Sequence, residues 1–356
     1  MKRSKFVFSF IAIYVSIFFL AQLLCAESHA SQNKTDFPYS SGATIRLIVP
    51  YSPGGGYDVE SRLTAPYIQK HLEEMGGVKI TLIVENITGA GGAIATTQVF
   101  KEKTDGSILF MLDPESSLWQ QDLQAAKFDI RKFVYLGQRS ADPITFIVGK
   151  EHVNAKSFDE VRQKSLKKSL VLATCGFGGH DHMYPLLFQA FLEEKGLKIN
   201  FDYLHTEGTG QIVSHFRRAE IDGTMEIIRP FIELINQKEA RVLFTFTEQR
   251  TTLIPDIPTV YEVPEFAALN KKDVDSLVSI ANYRRVLVAP PGTESKKVAV
   301  LEEAVKRALS DPELIKKSEE AKRPISFIDA TKIQELIKTE WTVADKYLPV
   351  IKKIMK

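Results

Sequence analysis

Cysteine is nearly missing from this 356-residue chain: Cys25 and Cys175 are the only two, too few for a disulfide framework. Neither sign of charge dominates. Lys and Arg number 46 against 44 Asp and Glu, so the basic footprint of a nucleic-acid binder is missing. Twenty glycines and sixteen prolines are too few for a low-complexity or collagenous chain. After Leu24 no second long apolar run occurs, which argues for a soluble body. What remains is a composition of 44% hydrophobic and 25% charged residues, the ordinary balance of a globular protein of about two domains.

The first thirty residues read as a targeting segment. Lys2, Arg3 and Lys5 precede the apolar run Phe6–Leu24, and Ser28 and Ala30 stand at −3 and −1 if cleavage falls before Ser31. That is the pattern of a secretory signal peptide over residues 1–30, although the run is also nearly long enough to serve as an uncleaved membrane anchor. A lipidated Cys25 is disfavoured by Leu24, where a small residue is usual. Removing residues 1–30 leaves the charges balanced and Cys175 alone, so no internal disulfide is possible. Export places the chain in the periplasm, where ATP and nicotinamide cofactors are scarce, and this lowers the case for a kinase or dehydrogenase.

Residues 31–43 are polar and read as a flexible lead-in. Strands and helices alternate from Thr44 onward. Ile45–Val49, Lys79–Val84 and Ser107–Leu112 read as strands, with helices to about Glu74 and over Ala93–Lys101 between them. A second block repeats the pattern, with strands at Thr145–Val148, Ser169–Ala173, Ile199–Leu204 and Arg241–Thr247 and helices near Phe158–Lys168, Asp181–Lys195 and Gln211–Ala219. After Val286–Ala289 the chain is helical and rich in lysine and glutamate, the mark of a solvated helical face. The expected architecture is α/β, mostly parallel, in two blocks: residues 44–142, residues 143–250, and a return to the first block over 251–356. The crossings, and hence the hinges, are expected near Asp142–Pro143 and Thr247–Leu253.

Four glycine-containing loops join a strand to a helix: Pro50–Gly56, Glu85–Gly92, Thr174–Gly179 and His205–Gly210. The first amides of a helix lack intrahelical partners, and glycine lets such a backbone approach a ligand closely. Each loop alone reads best as a tight turn; four of one kind point to a carboxylate or phosphate held by main chain. None is a nucleotide cradle, because Pro53-Gly54-Gly55-Gly56-Tyr57-Asp58 has no following Lys-Ser or Lys-Thr and Gly89-Ala90-Gly91-Gly92 lacks the dinucleotide spacing. The first three loops contain no lysine or arginine, so an anion there relies on amide hydrogen bonds. Four such bonds at about 1.5–3 kcal/mol each suffice against the roughly 8 kcal/mol of micromolar binding.

These segments resemble the Bug-type substrate-binding receptors of tripartite tricarboxylate transporters. The likeness runs from Ile45-Arg46-Leu47-Ile48-Val49-Pro50-Tyr51-Ser52-Pro53-Gly54-Gly55-Gly56-Tyr57-Asp58 through Val84-Glu85-Asn86-Ile87-Thr88-Gly89-Ala90-Gly91-Gly92 to Gly176-Phe177-Gly178-Gly179-His180-Asp181-His182-Met183, Ile257-Pro258-Thr259 and Ala289-Pro290-Pro291-Gly292. The resemblance implies a two-lobed type II periplasmic-binding-protein fold with a ligand cleft between the lobes. It also implies a monomeric, non-enzymatic receptor without cofactor that passes a small organic acid to membrane permease subunits. By position it assigns ligand contacts to Tyr51, Ser52, Gly54, Gly55, Gly56, Asp58, Ala90, Gly91, Gly178, Gly179, His180 and Thr209, with Glu226 near the cleft wall. Departures from the family pattern are Gly179 in place of a usual Ser, the added His180, Arg229, and a longer polar stretch over Phe266–Tyr283.

Several of these residues have plainer readings. Asp58 suits a helix cap bonding a first-turn amide. Glu226 could be a general base, though no second titrating group adjoins it in sequence. Cys175, His180, Asp181, His182 and His205 could be a metal cluster of an exported metal-binding protein, with His182 more naturally a packing residue and His180 either a ligand contact or plainly exposed. A receptor feeding a sensor kinase would use the same site.

Overall fold

The computed structural model describes residues 37–355 except 124–125, 141–142, 151–152, 207, 252 and 282–283. The expectations for residues 1–30 lie outside the described residues. The lead-in is anchored by residue 37: Tyr39 is buried, and its hydroxyl donates to the Gly106 carbonyl at 2.9 Å. Two aromatic rings, Phe37 and Tyr39, hold the chain against the core just before the first strand, which corrects the expected looseness of residues 37–43.

Two sheets organise the molecule. The first contains β1 (Ala43–Val49), β2 (Ile80–Asn86), β3 (Ile108–Leu112), β4 (Val134–Gln138), β10 (Val286–Ala289) and β11 (Ile328–Asp329), in the order β11-β4-β10-β3-β1-β2. The second contains β5 (Ile144–Gly149), β6 (Leu170–Thr174), β7 (Phe201–His205), β8 (Gly223–Ile227) and β9 (Ala240–Thr245), in the order β7-β6-β8-β5-β9. β1 pairs in parallel with β2 and β3, and β6 with β7 and β8. By contrast β10 runs antiparallel to β3 and β4, and β5 to β8 and β9. The sheets are therefore mixed. β5 and β10 are the first strands formed after each crossing, and both enter their sheet against the direction of its parallel strands.

Helices α1 (Gly56–Gly76), α2 (Ala93–Phe100) and α3 (Pro114–Leu123) follow β1, β2 and β3, while α4 (Phe158–Lys167), α5 (His180–Glu194) and α6 (Thr209–Arg217) serve the second sheet. Local chemistry sets their ends. Gly77 closes α1 in the left-handed region at φ 62°, Ser157 caps α4 through the Glu160 amide, and Asp113 caps α3 by accepting from the Ser116 amide. A short α7 (Ile232–Asn236) precedes β9.

After β9 the chain does not return at once. Thr245 bridges to Thr259, Phe266 of α8 (Pro264–Ala267) stacks on Phe158, Phe188 and Phe244, and Tyr184 donates to the Leu277 carbonyl in α9 (Lys271–Ile280). Residues 259–280 thus pack on the second sheet, and the passage back to the first falls between Ile280 and Val286. The unexpected polar stretch is this helical patch, with Val274, Leu277, Val278 and Ile280 turned inward.

Helices α10 (Ser295–Leu309), α11 (Pro312–Glu320) and α12 (Ala330–Ile354) complete the chain. α12 packs on both α5 and β4, and its Ile333, Ile337, Tyr347 and Ile351 join Phe110, Trp119, Tyr184 and Phe244 in one apolar cluster that ties the two halves together. The lysine-rich tail presents a solvated face, but two of its acids are buried: Asp311, paired with Lys70 and His71, and Glu340, whose carboxylate oxygens are both unpartnered.

Candidate functional site

All four glycine loops lie at carboxyl ends of parallel strands, where open α/β sheets present loops to a ligand. They converge. The Tyr51 hydroxyl after β1 donates to Asp113 Oδ2 at 2.7 Å and lies 3.3 Å from the Gly91 carbonyl after β2. Gln120 of α3 donates to the Gly91 carbonyl at 2.9 Å and lies 3.4 Å from the Gly178 carbonyl of the second half. A Cβ built on Gly91 would stand 3.6 Å from the Gly179 amide nitrogen. Thr206 donates to the Thr174 carbonyl, and Thr209 Oγ1 lies 3.5 Å from Cys175 Sγ, which joins the fourth loop to the third.

Backbone conformation at the second loop explains its glycines. Gly91 and Gly92 sit at φ 61° and 98°, in the left-handed region, with Ala90 at φ 48° between them and Gly89. The amides of Ala90, Gly91, Gly179, His180 and Thr209 have no hydrogen-bond partner among the described residues. The first loop is different. Gly54 donates to Asp58 Oδ2 at 2.8 Å and Gly55 to the Ser52 carbonyl at 3.3 Å, so neither amide is free there. Asp58 therefore ties the loop to the helix by reaching back to Gly54, not by bonding a first-turn amide as expected. Ser52, Gly54 and Gly55 are exposed, and Gly56 faces the guanidinium groups of Arg285 and Arg323. Gly178 is also engaged, donating to His182 Nδ1 at 3.0 Å.

Between the loops lies a buried group of charges that no single segment of sequence displays. His180 Nε2 is 3.0 Å from Glu226 Oε2, and its Nδ1 is 3.5 Å from Asp113 Oδ2. Arg284 pairs with Glu115 at 3.1 Å and lies 3.9 Å from Glu226. His180 is thus neither exposed nor free, and Glu226 has a titrating neighbour that sequence distance concealed. Burial and Arg284 oppose the charged imidazole, but Glu226 and Asp113 outweigh them and push His180 up to about 10. Burial raises Glu226 while the His180 charge and hydrogen bond hold it below the usual carboxylate range. Burial, only partly offset by Arg284 and His180, lifts Glu115 to about 7. His180 and Arg284 are matched by Asp113, Glu115 and Glu226. Among the described residues Arg139, Arg285 and Arg323 share the single carboxylate Glu60 beside Gly56, so positive charge lies next to the first loop in addition to the open amides.

The histidines expected as a metal cluster separate by role. His182 is buried, packs edge-on against Tyr203 and His205, and is pushed down to about 4 by burial and by His205. His205 Nδ1 lies 2.7 Å from Thr174 Oγ1. Of the residues named from sequence, Cys175 and Asp181 do meet, and Glu226 joins them. Asp113, Glu115, Gln120 and Arg284 were not foreseen. The Asp113-Pro114-Glu115 start of α3 is the one signal that could have marked two of them, since a cap after a fully apolar strand sits at the loop end of the sheet.

Two sheets of mixed α/β build, joined by crossing segments and meeting through glycine loops, define a two-lobed solute-binding protein with its cleft between the lobes. Residues 67–355 match the model of the tripartite tricarboxylate transporter family receptor, and the chain belongs to that family. Among its relatives is Protein BugT of Bordetella pertussis, 24% identical over 277 residues, covering 76% of this chain and 78% of that protein. The fold is that of the periplasmic binding protein BugD, with TM-score 0.67 at 19% identity over 88% of this chain and 98% of the other. It is equally that of MatC from Rhodopseudomonas palustris with bound malate, with TM-score 0.68 at 20% identity over 87% and 99%.

Proposed function

We propose that this protein is a periplasmic receptor that captures a small carboxylate between its lobes and delivers it to a tripartite tricarboxylate-type permease. The observation behind this reading is the pair of unpartnered amides at Gly91 and Gly179, one from each half, in loops that come within van der Waals range of each other. Charge-assisted hydrogen bonds from such amides contribute about 1.5–3 kcal/mol each, so a few of them account for micromolar capture. The malate held by MatC supports a carboxylate as ligand class.

In this reading Ala90 and Gly91 bind first from the lobe of residues 44–142, and Gly179, His180 and Thr209 close from the lobe of residues 143–250. Tyr51 and Gly56 line the entry, while Ser52, Gly54, Gly55 and Asp58 shape the first loop rather than donate to the ligand. Closure joins Asp113 of the first lobe to His180 of the second, and Arg284 in the crossing segment reaches Glu226 of the second lobe. Hinge motion then takes place where the chain passes from β4 to β5 and from α9 to β10, with α12 as the packed edge. His180 and Glu226 hold each other's charge and serve closure, not proton transfer to a substrate. Removal of the signal peptide, residues 1–30, releases the receptor to the periplasm as a monomer.

A thermal-shift screen of the exported chain against mono-, di- and tricarboxylates tests the reading. A rise in Tm with one or more acids, saturating at one ligand per chain, is the expected result. A flat response across the library, with amines or sugars raising Tm instead, contradicts it.

A further inference from the structure

Cys175, Asp181 and Glu226 bring one sulfur and two carboxylate oxygens within 4.8 Å of one another on the second-lobe wall of the cleft. They arrive from three places: the residue just after β6, the first turn of α5, and the next-to-last residue of β8. Asp181 and Glu226 are buried, and Cys175 is half-buried. One Asp181 oxygen accepts from the Cys175 amide; the other, Oδ1, is buried without a hydrogen-bond partner. An acceptor left unpaired in the interior is costly, and a cation removes that cost.

The donor set selects the class of ion. Sulfur with carboxylate oxygens suits a borderline-soft divalent metal, whereas magnesium and calcium call for a fuller shell of oxygens. Metal–ligand bonds of about 2.0–2.3 Å set tetrahedral donors roughly 3.5 Å apart, so donors lying within 4.8 Å of one another must close by up to about 1.3 Å. His180 stands next to the set, its Nε2 on Glu226 and its Nδ1 toward Asp113, and so anchors one ligating carboxylate from outside.

We propose that Cys175, Asp181 and Glu226 form a binding site for a thiophilic divalent cation of the zinc class, with a fourth position open to the cleft. The thiol gives its proton to water on binding and the ion replaces it, so three anionic donors, with the His180 and Arg284 cations beside Glu226, face one dication. The site does not depend on the receptor reading: an ion can bind whether or not a carboxylate does.

The test is calorimetric titration of the chelator-treated full chain with zinc. One ion per chain is expected, and Cys175→Ser and Asp181→Asn should each weaken uptake by at least about tenfold, the loss that even supporting residues of a metal site cause. His215→Gln, which alters a histidine paired with Glu220, should leave uptake unchanged. Cobalt in place of zinc should give a thiolate-to-metal charge-transfer band that Cys175→Ser abolishes. Failure of wild-type protein to take up zinc, a cobalt complex without that band, or undiminished uptake in both variants overturns the proposal. Carboxylate titration repeated in excess chelator reads the receptor function separately.

Discussion

His180 Nε2 lies 3.0 Å from Glu226 Oε2, with the Glu226 side chain 2% and the His180 side chain 14% exposed. Replacing the histidine by glutamine would leave Glu226 and Asp113 buried with one cation fewer, at a cost of about 3 kcal/mol. The pH dependence has a definite sign. Because His180 is raised to about 10 in the folded protein, its contribution is fully present below its unfolded value of about 6.5 and is lost as pH rises through about 10. Urea unfolding of His180→Gln at pH 6 to 10 should therefore show a large deficit at the acid end that narrows toward pH 10. A deficit that is constant across the range would contradict the assigned ion pair.

Glu340 makes the opposite prediction for a substitution. Its carboxyl has no partner for either oxygen, and burial first, with Glu115 and Asp113 next, pushes it well above the usual range. A carboxyl raised in this way stabilises the fold below about pH 4.5 relative to higher pH, where deprotonation favours the unfolded chain. Glu340→Met, of similar volume, should raise stability by about 1–3 kcal/mol at pH 8 and by less at pH 5. Denaturant midpoints at the two pH values check this; a variant weaker than wild type at both would refute it.

Gly55 tests the first loop. It is exposed, in extended backbone at φ −70°, and an added Cβ meets only the Ser52 carbonyl at 3.2 Å. Gly55→Val should leave Tm within a few degrees of wild type while reducing carboxylate affinity, since the larger side chain crowds the entry beside Tyr51. Thermal unfolding and ligand titration on the same sample separate the two effects. Unchanged affinity would remove the first loop from the site.

Local pattern was enough to read the parallel strands, the helices that follow them and the four glycine junctions, because each is written within ten residues or so. The loops' convergence could also be anticipated, since parallel strands put their carboxyl ends on one edge. Antiparallel β5 and β10 could not, because an apolar run of four to six residues carries no sign of its direction. The polar stretch before Arg284 misled for a related reason: α9 hides Leu277 and Val278 under Tyr184, a partner ninety-three residues away. The charge network was the least legible part. Arg284 meets Glu115 across 169 residues and Arg139 meets Glu60 across 79, so neither pair leaves any spacing to find.

The most direct test of amide capture is calorimetric titration of a dicarboxylate such as malate into wild type and Gly91→Ala. Gly91 sits at φ 61°, where a Cβ costs about 1–2 kcal/mol of backbone strain, and that Cβ would press on Gln120 Nε2 at 2.9 Å and touch the Gly179 amide at 3.6 Å. Micromolar or tighter one-to-one binding to wild type, weakened at least about tenfold (1.4 kcal/mol) in a still-folded Gly91→Ala, is the predicted result. Equal affinity in the two proteins, or no carboxylate bound by either, would contradict it.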